Sequence, residues 1–223
     1  MTQKTLSFSE LNISSEEVFR QMGYAETPPS SQVVALTTEV IRQAEMVAQP
    51  CFGFVTVDGQ LEGQLLSVGD VTMHIGKIIA RQLAESEAFT FFVATAGKEI
   101  ELLQQKILSQ GDTVSAYIID ALGSVVAERC ADLMEVFLQE SIDKLGWRHT
   151  NRFSPGYCQW PVCEQPKVFS LLGNATCGVT LNAQCMMKPV KSVSGVIGIG
   201  SKVRHMDYTC GICGLQDCLY RKC

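Results

Sequence analysis

The sequence predicts an α+β fold with a mainly antiparallel sheet and flanking helices, on three observations. Runs rich in β-formers, at residues 51–57, 89–93 and 193–199, mix with helical stripes without the steady strand–helix–strand beat of a doubly wound sheet. There is no GxGxxG turn and no internal repeat. The 223 residues, 46% hydrophobic and 18% charged, suffice for one sizeable core.

In chain order, Ser14-Ser15-Glu16-Glu17 ahead of Val18-Phe19 reads as a capping box, with Gly23 a natural stop for the short helix it opens. Pro28-Pro29-Ser30-Ser31 breaks the chain. A helical stripe follows at Val33, Leu36, Val40, Ala44 and Val47 and ends at Pro50. Residues 51–57 read as a strand, Asp58-Gly59 as a turn, and 61–68 as a second strand. The apolar spacing is helical over 73–83 and strand-like over 89–93. Gly97 opens a helix through Ile100, Leu103 and Ile107 that closes at Gly111. Asp112 then caps a long helix from 113 to about 145, in which Gly123 marks close packing or a bend. Cys130, Leu133, Met134, Phe137 and Leu138 form its buried stripe; Glu128, Asp132, Glu135 and Gln139 form its polar one. Residues 161–172 look helical, and 178–181 and 193–199 look like strands, with Lys188-Pro189 between them.

The formal charge of −5, with no Lys/Arg cluster, argues against a nucleic-acid or anionic-membrane surface. The N-terminus is polar and no apolar run approaches the ~20 residues of a membrane span, so a soluble cytoplasmic protein is expected. Ten cysteines without a secretory signal point to reduced thiols or metal ligation. His74, His149 and His205 show no metal-ligand spacing and read as structural or surface residues.

The chemistry concentrates in Asn151-Arg152-Phe153-Ser154-Pro155-Gly156-Tyr157, followed by Cys158-Gln159-Trp160-Pro161. A strong cation, a fixed-φ residue, a residue free to take positive φ and two large aromatics favour a shaped loop. The Arg152 fork suits a carboxylate or phosphate, and Tyr157 offers a ring face and a hydroxyl. Separately, Cys210, Cys213, Cys218 and Cys223 put four soft ligands close together, with Gly211 and Gly214 letting the chain wrap an ion. Zn²⁺ and an iron–sulfur cluster both suit four thiolates, spacing does not choose between them, and loose thiols or an adventitious disulfide are the alternative without metal. Residues 1–205 are thus expected to form one domain, and 206–223 a cysteine-rich tail.

Arg152-x-x-Pro155-Gly156-Tyr157, then Leu181-x5-Met187-x-Pro189, then Ser192-Val193-Ser194-Gly195 resemble, in order and spacing, the activation (reactivation) domain of cobalamin-dependent methionine synthase. The resemblance is clearest over 112–200. It implies a module that binds S-adenosylmethionine and helps to remethylate oxidised cobalamin on a partner methionine synthase or other corrinoid protein, with electrons from a flavodoxin-like or iron–sulfur donor. It implies binding of S-adenosylmethionine by Asp132, Arg152, Ser154, Gly156 and Tyr157, and contact with the cobalamin-bearing domain by Glu128, Ser192, Ser194 and Gly195. Lys188 and Lys191 are candidates for polar groups of the corrin. The tail matches free-standing relatives, where a cluster at Cys210, Cys213, Cys218 and Cys223 would relay an electron.

The chain departs from the family at two places. Asp132 is one methylene shorter than the expected Glu, and Val196-Ile197-Gly198-Ile199-Gly200 replaces a stretch with aromatics and a further Tyr. Asp70 and Glu62 are candidates for an acid contributed from the early segment. Two rivals from other classes stay open: a metal or iron–sulfur redox or scaffold protein that docks on a corrinoid protein without methylating it, and a structural interaction domain whose loop is inert.

Overall fold

The computed structural model describes residues 1–24 and 27–206. Its elements, in order, are β1 (Thr2–Thr5), α1 (Ser15–Gln21), α2 (Ser31–Glu45), β2 (Cys51–Val57), β3 (Gln60–Glu62), β4 (Leu65–Val68), β5 (Val71–His74), α3 (Gly76–Leu83), β6 (Ala88–Thr95), α4 (Lys98–Ser109), α5 (Thr113–Ile142), β7 (Arg148–His149), α6 (Gln165–Leu172), β8 (Thr180–Leu181), β9 (Met187–Lys188) and β10 (Ser192–Gly200). A central sheet runs β1-β2-β6-β10-β7, with smaller sheets β3-β4-β5 and β8-β9, and every strand pairing is antiparallel. The α+β expectation with a mainly antiparallel sheet holds.

β6 explains the layering. All eight of its residues are buried, as a strand covered on both faces requires. Ala88, Phe92 and Ala94 enter one core with Phe52, Phe54, Ile197 and the apolar side of α5. Phe89, Phe91 and Val93 point the other way, into a core with Leu66, Met73, Ile79, Val168 and Trp160. The sheet therefore separates a layer holding α1, α2, α4 and α5 from one holding the small sheet β3-β4-β5, α3 and α6.

The sequence signals for caps hold in detail. Ser14 accepts from the Glu17 amide while the Glu17 carboxylate takes the Ser14 amide, and Asp112 accepts from the Ser115 amide at 2.9 Å. Gly123 marks close packing: an added Cβ would lie 2.8 Å from Lys191 Cγ and 3.0 Å from Ile100 Cγ2.

Three boundaries differ from expectation. The strand expected over 61–68 is a hairpin, β3 and β4, reversing at Gly63, whose φ is 61°. The helix expected from 73 begins at Gly76, because residues 71–74 pair with β4 and bury Met73 from a strand. Continuous apolar content at the junction hides the change of period. The strand expected over 178–181 is reduced to the two residues of β8.

Candidate functional site

The loop after β7 is fastened to the edge of β10 before it reaches its tip. Thr150 donates its amide to the Gly198 carbonyl at 2.8 Å, and Phe153 and Val196 exchange both backbone hydrogen bonds, at 3.0 and 2.8 Å. Gly195 makes that approach possible, since a Cβ there would fall 2.0 Å from the Phe153 carbonyl oxygen. Beyond this anchor the chain turns on itself: Gly156, at φ 97°, donates to the Trp160 carbonyl at 2.7 Å, and Trp160 donates back to Tyr157 at 2.9 Å. Cys158 and Gln159 also take positive φ. Their carbonyls lie against Gly76, where a Cβ would come within 3.1 and 2.9 Å of them. Trp160 is buried in the core while Tyr157 stands 62% exposed. The tip thus presents a free phenol on a fixed backbone.

Arg152 turns from this loop toward α5. Its Nη2 lies 2.9 Å from Asp132 and 3.3 Å from Glu128, and its Nη1 lies 3.3 Å from Glu135. Residues 128, 132 and 135 share one helix face because four and three residues each span about one turn. The polar stripe therefore meets a single guanidinium. Burial alone would lower the Arg152 pKa, but Glu135, Asp132 and Glu128 more than offset it and hold the cation. Glu135 is shifted upward because loss of water around its carboxyl outweighs the opposing pull of Arg152. Asp132 also faces a cavity of about 250 Å³ with Glu10, Leu11, Asn12, Arg129, Leu133 and Val136 in its wall.

A family model described as the vitamin B12 dependent methionine synthase activation domain matches residues 68–219. The chain belongs to that family. A solved structure, the crystal structure of the MetH reactivation domain bound to AdoHcy, shares the fold with a TM-score of 0.69 at 16% identity, over 88% of this chain and 77% of that one. No curated protein matches the chain. The family match takes in the whole of 112–200, where the sequence resemblance is clearest, and extends beyond it at both ends.

Within this activation domain, Asp132 and Arg152 are brought into direct contact. Ser154 is half-buried and Gly156 exposed on the same turn. Tyr157 does not line the cavity beside Asp132. Of the residues assigned to contact with the cobalamin domain, Glu128 is 55% exposed beside Arg152, and Ser192 is half-buried, its hydroxyl within 2.8 Å of both the Pro189 carbonyl and the Thr95 hydroxyl. Ser194 and Gly195 are buried behind the loop. Lys188 is exposed on β9, whereas Lys191 is committed to Asp120 at 2.8 Å and Ser124 at 3.1 Å.

Sequence reasoning missed two groupings. Glu62 and Asp70 lie on the small sheet, which packs on the face of the central sheet away from α5, while Glu10, from the first turn after β1, shares the cavity wall with Asp132. Its signal was Ser7-x-x-Glu10, a second capping box. Glu135, His149 and His205 also converge, a grouping that the reading of His149 and His205 as structural or surface residues did not contain. No spacing rule finds a set spread over seventy positions. Among the described residues, Cys51, Cys130, Cys163, Cys177 and Cys185 form no disulfide, although the sulfurs of Cys51 and Cys177 lie 2.7 Å apart. Cys210, Cys213, Cys218 and Cys223 lie outside the described residues. Among the described residues, no helix is long and apolar enough to cross a membrane.

Proposed function

We propose that this activation domain binds S-adenosylmethionine between the loop of residues 151–157 and the polar face of α5, and serves reductive remethylation of a corrinoid partner. The observation that carries this reading is the charge balance at Arg152: three carboxylates of one helix face surround one guanidinium. The ligand has two cationic groups, an ammonium and a sulfonium, and one carboxylate, so an excess of negative charge with a single embedded cation complements it. Arg152 Nη1 is buried and lies 3.3 Å from Glu135 without a well-aligned hydrogen bond, so a ligand carboxylate that displaced Glu135 would gain a donor there.

In this reading Asp132 balances the ammonium, backbone groups of Ser154 and Gly156 take the remaining polar edges, and the exposed Tyr157 ring closes over the sulfonium. Glu128 and Ser192 meet the cobalamin-bearing domain, while Ser194 and Gly195 act from behind by holding the loop. The partner's cobalamin supplies a reduced cobalt nucleophile that takes the methyl group and leaves S-adenosylhomocysteine. The chain's own residues then work by positioning, with no general base required. A flavodoxin-like protein, or an iron–sulfur cluster on Cys210, Cys213, Cys218 and Cys223, is the proposed electron source; zinc at these thiolates would exclude the second.

The rival, a scaffold that docks on a corrinoid protein without methylating it, draws support from the ion pairs that already occupy Arg152. Calorimetry with S-adenosylmethionine separates the two. The methyl-donor reading expects binding by the native chain, loss of it in Arg152→Ala, and methylcobalamin formation when a methionine synthase cobalamin fragment and reductant are added. Absence of binding by the native chain overturns it.

A further inference from the structure

We propose that Glu135, His149 and His205 form a binding site for a divalent first-row metal ion, Zn²⁺ above all, apart from the tail cysteines and the loop tip. One carboxylate oxygen and one nitrogen from each imidazole lie within 4.8 Å of one another. They come from three separate places: α5, β7 and the segment that leaves β10.

Each ligand is prepared by its surroundings. Glu135 divides its carboxylate, with Oε2 in the ion pair to Arg152 and Oε1 buried without a hydrogen-bond partner. A buried carboxylate oxygen left in that state is costly, and a cation would satisfy it. His149 has Nδ1 2.7 Å from the Thr150 carbonyl oxygen. That contact makes Nδ1 the protonated nitrogen and leaves the lone pair on Nε2, the outer-shell arrangement usual for ligating histidines. His205 belongs to a segment pinned by Asn151, whose side-chain amide donates to the Met206 carbonyl at 2.7 Å and accepts from the Met206 amide at 2.8 Å. The two imidazoles meet edge to face, their centroids 5.6 Å apart.

Two imidazoles and a carboxylate are a common set for a Zn²⁺ ion that keeps an open position, and also suit Fe²⁺ or Co²⁺. Bonds of about 2.1 Å in a tetrahedral shell put ligand atoms roughly 3.4 Å apart, so side-chain rotation suffices to close the set. The fourth position is available to water from the adjoining cavity of about 380 Å³, which His149 and His205 line with Gln139, Arg148 and Arg204. Both arginines are exposed, so solvent and salt screen their repulsion of the ion. A hydrogen-bonded cluster without metal is the competing reading, but it would have paired Glu135 Oε1 with an imidazole N–H. Glu135 also touches Arg152, so an ion here would fix a carboxylate of the site beside it.

The test uses the full chain with Cys210, Cys213, Cys218 and Cys223 all changed to Ser, titrated with Co²⁺ and then Zn²⁺. One equivalent of Co²⁺ should bind with weak visible bands and no thiolate charge-transfer band, be displaced by Zn²⁺, and weaken at least tenfold on His205→Ala. His205 is exposed, so that change leaves the fold intact. If the cysteine changes impair folding, the stoichiometry is read in the unaltered chain, where His205→Ala should remove one equivalent and leave the thiolate band untouched. No Co²⁺ uptake by the folded, tail-substituted chain, or equal uptake after His205→Ala, overturns the assignment.

Discussion

The loop of residues 151–160 and the polar face of α5 meet at Arg152, yet they are held in place by opposite means. Backbone hydrogen bonds to β10, a glycine that admits a carbonyl and a buried indole fix the loop. Helix periodicity fixes the face of α5, and its carboxylates Glu128 and Asp132, half in water, are free to adjust. Damage to the buried anchors of the loop should therefore register as lost stability, and damage to the exposed groups of either region as lost affinity for a charged ligand.

The largest effect is expected from Trp160→Ala, which empties a fully buried site under the loop and should cost about 3–5 kcal/mol in denaturant unfolding. A cost below about 1 kcal/mol would show that the indole is not the loop's anchor. Gly195→Ala comes next, because the Phe153 carbonyl is backbone and must be displaced. About 1–3 kcal/mol of destabilisation is expected, with weakened S-adenosylmethionine binding although the residue touches no ligand. Unchanged thermal melting would remove the claim that this contact positions the loop.

The acid face makes a different pattern. Glu17 tests how charge is handled where α1 packs on α5, in its ion pair with Arg129. Burial would raise its carboxyl, but the Ser14 amide and hydroxyl, with Arg129, hold it below its ordinary value of 4.5. A depressed folded value stabilises above the unfolded value and is lost as pH falls through it. Wild type should exceed Glu17→Gln by about 1 kcal/mol at neutral pH, with the gap closing in urea titrations as pH falls through the lowered Glu17 value. A gap that widens in acid would reverse the sign of this argument.

The smallest change in stability belongs to Tyr157→Ala, at a residue 62% exposed. Melting should stay within about 0.5 kcal/mol of wild type, while S-adenosylmethionine affinity drops roughly tenfold, as loss of a cation–π contact implies. Full affinity in this variant would confine binding to the α5 side and dissolve the comparison.

The fold was largely legible because its signals are local. The capping box at Ser14, the cap at Asp112 and the strand over 51–57 all stand where sequence puts them. The start of α3 was misplaced because β5 runs into it with unbroken apolar content and Gly76 alone marks the change. In the site, the stripe of Glu128, Asp132 and Glu135 and the cation Arg152 were both readable, but their mutual contact was not.

Sequence by itself determined the fold class, the family and the residue types at the loop, since periodicity, caps and motif spacing depend on neighbours along the chain. Tertiary structure alone decided that Arg152 serves three acids at once, that Ser194 and Gly195 lie behind the loop, and that Glu10 joins Asp132. It alone assembled Glu135, His149 and His205. The reason is geometric: an antiparallel sheet and a long crossing helix bring together residues far apart in sequence, and no local pattern encodes which of them will face one another.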